Sequence, residues 1–372
     1  MKWSWKLGEV AGIGIFIHWT FLILIVWIVV AHISEGKGTA AAAEGVALVL
    51  AVFGCIVAHE LGHSLTARRF GIRTRDITLL PIGGVARLER MPEDPTQELL
   101  VALAGPAVNV VIAAALFGAV AFWIGLSVFY NLTMVGGSFL AKLMVINVFL
   151  VAFNLLPAFP MDGGRVLRAL LAMRLDYVKA TRIAASVGQG VAVLFGIAAP
   201  FVNWFLLLIA AFVFLGAQQE SQMVQVSSLL RGVPVREAMI RRFRTLSQHD
   251  PLPWVVTELL AGDQQDFPVL EQDRIVGILA GKDVLAAIAQ GGQDGRVADV
   301  MQRDCPVVEE TDMLEPAFRR MRERACRALP VVRDGQLIGM VTLENVSQWM
   351  MLQSALRRGR AAATVPNAFR GR

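Results

Sequence analysis

Between residues 12 and 218 this chain carries apolar runs long enough to cross a bilayer, and beyond 218 it carries none. That division constrains the fold more than any other feature, because a backbone in hydrocarbon must satisfy its own hydrogen bonds. Six spans are drawn on it, over 12–32, 45–67, 97–125, 134–157, 184–199 and 201–218. The last two touch at Pro200–Asn203, so they form a tight hairpin or one bent segment. The first follows Lys2 and Lys6 as a signal sequence would, but its apolar run is too long and it is read as an uncleaved span. Hydrophobic residues make up 55% and charged residues 17% of the 372, which fits an integral membrane protein.

Charge orients the spans. Arg68, Arg69, Arg73, Arg75, Arg87 and Arg90 lie in 68–98, and Arg165, Arg168, Arg174, Lys179 and Arg182 lie in 165–182, whereas the opposite connections hold only Lys37. The positive-inside rule then places both termini and the second half of the chain in the cytoplasm, as in a multi-pass protein of the cell membrane. The net charge of +5 is read as these flanks, so no nucleic-acid partner is expected. Cys55, Cys305 and Cys326 have no paired spacing. No disulfide framework is expected, in keeping with a reducing compartment.

The connection "ITLLPIGGVARLE" (77–89) is too apolar for a free loop and too interrupted for a helix. Such backbone sits at membrane depth only where its polar groups are paired or line a wet cavity. It reads as a re-entrant β element, with an ordinary surface loop as the alternative.

"IVAHELGHSLTARRF" (56–70) places His59 and His63 four residues apart inside the second span. On a helix the two imidazoles share a face and can reach one metal ion. Glu60, beside the first, is placed to take a proton from an activated water and pass it to a leaving amine. Two hydrogen-bonded core histidines are the bland alternative, but an ionisable glutamate in a span needs a partner. With Arg68 at the interface, the pair lies ~13 Å below the cytoplasmic surface. In "FNLLPAFPMDGGR" (153–165), Pro157 and Pro160 break the fourth span before Asp162. Asp162 is the candidate third ligand; taken alone it would read as a turn or cap residue. Asn154 either donates a hydrogen bond to an oxyanion or packs between helices.

The H-E-x-x-H of the second span, "AGPAVN" (104–109) in the third, and N-x-x-P-x-x-P-x-D-G-G over 154–164 together resemble the site-2 protease family of intramembrane zinc metalloproteases, over roughly residues 10–220. The resemblance implies one zinc ion per chain held by His59, His63 and Asp162, with Glu60 as general base. It also implies that the Gly83–Gly84 segment pairs with an unwound substrate strand. His18 matches a common feature of the first span and is read as a polar packing residue rather than a fourth ligand.

From residue 233 a repeat shifted by 62 residues carries Val235 onto Val297, Asp250 onto Asp312, Pro268-Val269 onto Pro330-Val331 and Gly277 onto Gly339. Each copy reads as helix, strand, turn, strand and closing helix. The repeat resembles a tandem pair of cystathionine-β-synthase (CBS) domains, over 233–291 and 295–352. Such pairs often hold an adenine nucleotide; the candidate contacts are Asp283, Thr342 and Asn345, with neither copy carrying the full pattern. The alternative is a docking module, or a homodimer formed through the CBS domains. A basic tail over 353–372 is expected to be disordered.

The fold class expected is thus a polytopic α-helical membrane protein of about six transmembrane helices with a re-entrant β element, over 1–222, plus a cytoplasmic α/β CBS pair. The expected function is zinc-dependent endoproteolysis of transmembrane segments in regulatory membrane proteins or remnant signal peptides, regulated by nucleotide at the CBS pair. Its partners are a membrane-protein substrate and the lipid bilayer. A CBS-regulated transporter or channel competes with it, since intramembrane charge also marks a substrate path.

Overall fold

The computed structural model describes residues 3–81, 83–89, 91–123, 138–262, 264–292, 294–324 and 326–363. Its contacts divide the chain into two units, Met1–Val224 and Gln225–Arg372.

The first unit opens with a hairpin, β1 (Ser4–Val10) and β2 (Ile13–His18), closed by Ala11 and Gly12 at positive φ. Two helices follow, α1 (Thr20–Ser34) and α2 (Gly38–Arg69). They lead to β3 (Thr74–Leu80), which pairs in parallel with β2, and β4 (Gly83–Leu88) then pairs antiparallel with β3. The order β1-β2-β3-β4 leaves β4 on an edge.

This corrects the expected first span over 12–32. Ile13, Ile15 and Ile17 alternate along β2, with Ile13 and Ile15 buried, a two-residue period that the long apolar run masks. What remains is α1, whose 15 residues reach ~22 Å at 1.5 Å per residue. Ile17 packs with Phe21, Phe53 and Leu79, joining β2, α1, α2 and β3. The expected β structure within 77–89 forms as the antiparallel pair β3–β4, and Asp76 on β3 pairs with Arg87 on β4.

The chain continues through α3 (Pro95–Trp123), α4 (Phe139–Asn154), α5 (Asp162–Ala172), α6 (Tyr177–Val202) and α7 (Phe205–Leu230), whose last residues belong to the second unit. Among the described residues four helices, α2, α3, α6 and α7, are long and apolar enough to cross a membrane. With 15 and 16 residues, α1 and α4 are shorter; residues 124–125 and 134–137 of the expected third and fourth spans lie outside the described residues. Only Asn203 and Trp204 separate α6 from α7. The chain therefore turns back as a hairpin there, and Asn203 Oδ1 accepts a hydrogen bond from the N–H of Phe205 at 2.8 Å.

The second unit repeats one plan. The first copy holds β5 (Leu246–Ser247), α8 (Leu252–Ala261), β6 (Asp266–Glu271), β7 (Arg274–Ala280) and α9 (Gly281–Ala289). After α10 (Val297–Val300), the second holds β8 (Val308–Glu309), α11 (Leu314–Arg324), β9 (Ala328–Arg333), β10 (Gln336–Thr342) and α12 (Leu343–Ala363). The sheets are β5-β6-β7 and β8-β9-β10. Each copy completes the core of the other. Val235 and Ala238 are buried with Val308, Leu314 and Val331, and Val297 and Met301 with Leu246, Leu252 and Val269. The bridges Ile240↔Met340 and Ile278↔Gln302 map onto each other under the same 62-residue shift. Neither copy can close its apolar core alone, which is why the repeat comes as a pair.

Two expectations are corrected in this unit. Residues 353–363 belong to α12 rather than to a disordered tail; 364–372 lie outside the described residues. Cys305 and Cys326 are bonded, with Cα atoms 5.9 Å apart. Their 21-residue separation matches no motif, and only the folding of the second copy brings them within bridging range.

Candidate metal centre

His59 and His63 stand one turn apart on α2, where their Nε2 atoms come within 3.0 Å of each other. Asp162 opens α5, and its Oδ2 lies 3.2 Å from His59 Nε2 and 3.1 Å from His63 Nε2. All three side chains are buried, and their ligand atoms lie within 4.8 Å of one another. An acidic residue suits the positive end of a helix.

The bend that presents Asp162 depends on glycine. A Cβ on Gly163 would come 2.2 Å from Leu156 O, and one on Gly164 would come 2.6 Å from Phe159 N. The loop over 155–161 therefore folds back on the first turn of α5. It is held from behind by α6 and α7, since Ala158 and Met161 are buried with Ala192 and Val213, and Phe159 with Ala184 and Ala217.

Hydrogen bonds fix how the imidazoles point. Asn147 on α4 donates from Nδ2 to Leu143 O at 2.8 Å, so its Oδ1 faces Asn109 and accepts from Asn109 Nδ2 at 3.1 Å. That turns Asn109 Oδ1 towards His59 Nδ1 at 2.8 Å, which must donate. His63 Nδ1 likewise donates to the carbonyl of Val101 at 2.7 Å. With both Nδ1 atoms protonated, each neutral ring turns the Nε2 lone pair inward. In that form two lone pairs and a carboxylate oxygen converge on one point, an arrangement that favours a shared cation.

A zinc ion fits these residues. Ligand-atom separations of 3.0–3.2 Å approach the ~3.3 Å edge of a tetrahedron with bonds of about 2.05 Å. The space is kept by Gly105 on α3, where a Cβ would meet His63 Nε2 at 2.2 Å and His59 Nε2 at 2.7 Å. Three protein ligands leave one position open, as catalytic sites do.

Of the other expected site residues, Glu60 and Gly84 adjoin the cluster and the rest lie elsewhere. Glu60 is half-buried next to His59, and a Cβ on Gly84 would stand 3.1 Å from Glu60 Cγ, so β4 runs against the acid. Gly83 opens β4 at φ 139°. Asn154 ends α4 and donates to Leu150 O at 2.9 Å. His18 stays outside the cluster, its Nδ1 2.8 Å from Thr20 Oγ1 at the start of α1. In the second unit Thr342 Oγ1 donates to Asn345 Oδ1 at 2.5 Å, and Asp283 accepts from Gln302 Nε2 at 2.6 Å.

Sequence reasoning missed the orienting roles of Val101, Asn109 and Asn147. Asn109 stood in a quoted motif, and asparagines in two apolar runs are the only signal for the pair. Asn147→Leu is expected to free Asn109 to flip and present its N–H₂ to His59, weakening zinc binding ~10–100-fold. Competition with a fluorescent chelator measures this; unchanged affinity would mean that the Asn109–Asn147 chain does not hold the tautomer.

Comparison with known proteins identifies the family. The profile of peptidase family M50 matches residues 47–136 and 131–197, and that of the CBS domain matches 235–290 and 297–352. A zinc metalloprotease of Methanocaldococcus jannaschii is 32% identical over 95% of this chain and 97% of its own length. Rip3 of Mycobacterium tuberculosis is 29% identical over 94% of this chain and 93% of its own. A solved site-2 protease from Methanocaldococcus jannaschii is 36% identical, covering 59% of this chain and 95% of that one at a TM-score of 0.43. The transporter or channel reading is not favoured. Near-complete coverage by a zinc metalloprotease, together with the two profile matches, makes this chain a member of peptidase family M50: an intramembrane zinc metalloprotease of the site-2 protease type that carries two CBS domains.

Proposed function

We propose that the chain cuts transmembrane segments of regulatory membrane proteins or remnant signal peptides close to the cytoplasmic face, within a proteolytic domain over 1–222. The observation that carries this reading is the convergence of His59, His63 and Asp162 beside the edge strand β4. These three side chains hold the zinc, which when bound supplies Lewis-acid polarisation and an activated water. Glu60 takes the water's proton and delivers it to the departing amide nitrogen.

A transmembrane helix hides its own amides and must unwind before it can be cut. The free N–H and C=O groups of β4, from Gly83 and Gly84 onward, pair with the extended segment and hold it against Glu60. Asn154 donates to the oxyanion once its amide turns from Leu150 O. For this the sheet is re-entrant and α1 and α4 complete a set of six spans; the arginine-rich connections put the site and the CBS pair on the cytoplasmic side. The CBS pair over 233–352 binds an adenine nucleotide near Asp283, Thr342 and Asn345, and pairs with a second copy of itself.

The test is cleavage of a membrane-tethered substrate by the purified full chain. A zinc chelator is expected to stop cleavage and added zinc to restore it; cleavage that ignores the chelator would sink the reading. Millimolar ATP, ADP or AMP in the same reaction is expected to change the rate and the melting temperature. No change in either would remove the nucleotide from the proposal.

A further inference from the structure

Arg168 lies on α5, the helix that Asp162 opens, and its side chain is fully buried. Its Nε and Nη2 donate to Glu98 Oε1 on α3 at 2.7 and 2.5 Å. Its Nη1 donates to Glu220 Oε1 on α7 at 2.6 Å. The guanidinium also sits 5.0 Å from the Phe159 ring centroid and 5.1 Å from that of Tyr177. One buried cation thus touches α3, α5, α6, α7 and the loop that leads into Asp162. A buried guanidinium is costly to desolvate, and its fork admits few arrangements of the partners around it.

The helices it joins are those that build the metal centre. Three residues beyond Glu98, Val101 on α3 holds the His63 ring, and Gly105 clears space for both histidines. On α7, Val213, Ala217 and Glu220 fall on one face at helical spacing. The first two are buried against the 155–161 loop, and Glu220 meets Arg168.

We propose that Arg168 is a positioning residue for Asp162. By tying α5 to Glu98 on α3 and to Glu220 on α7, it sets the place of the aspartate in the ligand set, and it makes α7 the element whose movement displaces that ligand. This rests on the reading of His59, His63 and Asp162 as zinc ligands.

Two variants of the detergent-purified full chain test it. Arg168→Lys keeps the charge but loses the fork, and Glu220→Gln keeps the shape but loses the charge on a side chain that is 32% exposed. Leu170→Ala, on the exposed side of α5, is the control. Zinc affinity is read by chelator competition and the ligand geometry by the visible absorption of the cobalt(II)-substituted protein. Arg168→Lys is expected to weaken zinc binding ~10-fold or more and to alter the cobalt bands. Glu220→Gln should move both in the same direction by less, and the control should move neither. Melting temperature separates this from general damage, since a merely structural arginine would lower it without changing the affinity of the folded protein. A folded variant of either kind with wild-type affinity and spectrum overturns the proposal and leaves the zinc reading intact. A wild-type chain that binds no zinc removes both.

Discussion

A Gly105→Ala chain is expected to fold and yet to bind zinc far more weakly. The added methyl would occupy the point where the two Nε2 atoms meet, 2.2 Å from one and 2.7 Å from the other. Neither ring can step aside cheaply. His63 is pinned through Nδ1 to Val101 O and His59 through Nδ1 to Asn109, so retreat would break a buried hydrogen bond and carry a proposed ligand out of place. Zinc affinity should fall on the order of 10²-fold or more, at or above the upper end of what losing one orienting partner costs, and cleavage should fall with it. Gly118→Ala on the same helix is the natural control, because a Cβ there meets nothing within 4 Å and alanine favours a helix over glycine by roughly 1 kcal/mol. Metal content after purification and chelator competition decide the matter; a Gly105→Ala chain that retains zinc would mean that the close packing of α2 and α3 is not what keeps the site open.

Glu60→Gln separates chemistry from binding. Glutamine has the shape of glutamate and leaves the three proposed ligands untouched, so zinc content should stay at the wild-type level. The proton transfer assigned to the carboxylate is lost, and the cleavage rate should fall by about 10²–10⁴-fold. Single-turnover cleavage of a membrane-tethered substrate measures this, and cells carrying the variant should accumulate uncut membrane-tethered fragments. Near-normal turnover with full zinc would remove Glu60 from its role. The two variants thus fail differently, one in binding metal and one in using it.

Much of this was legible in residue order because the signals are local. The four-residue spacing of His59 and His63 needs only a helix to make a two-ligand face, and the break at Pro157 and Pro160 marks where Asp162 leaves α4 behind. The repeat from 233 is visible because two copies of one unit bury alike. Other features were hidden for stated causes. The strand over Ile13–His18 lies inside an apolar run in which a two-residue and a helical period both put isoleucine at hydrophobic positions, and only pairing with β3 selects the strand. Cys305 and Cys326 carry no motif until the second copy folds.

What the sequence determined by itself is the confinement of bilayer-length apolar runs to the first half, the candidate pair of metal ligands on one helix and the duplicated second half, each of which follows from hydrophobic content or short-range spacing. Only the tertiary structure decided which way the imidazoles face, what keeps the space between them, and how the ligand helix is held. Val101, Asn109 and Asn147 orient the rings across three helices, Gly105 matters only because α3 crosses α2 at that point, and Arg168 finds its carboxylates on α3 and α7. The physical reason is common to all of them. Hydrogen bonds and close contacts act over a few ångströms, and these partners lie tens of residues apart along the chain.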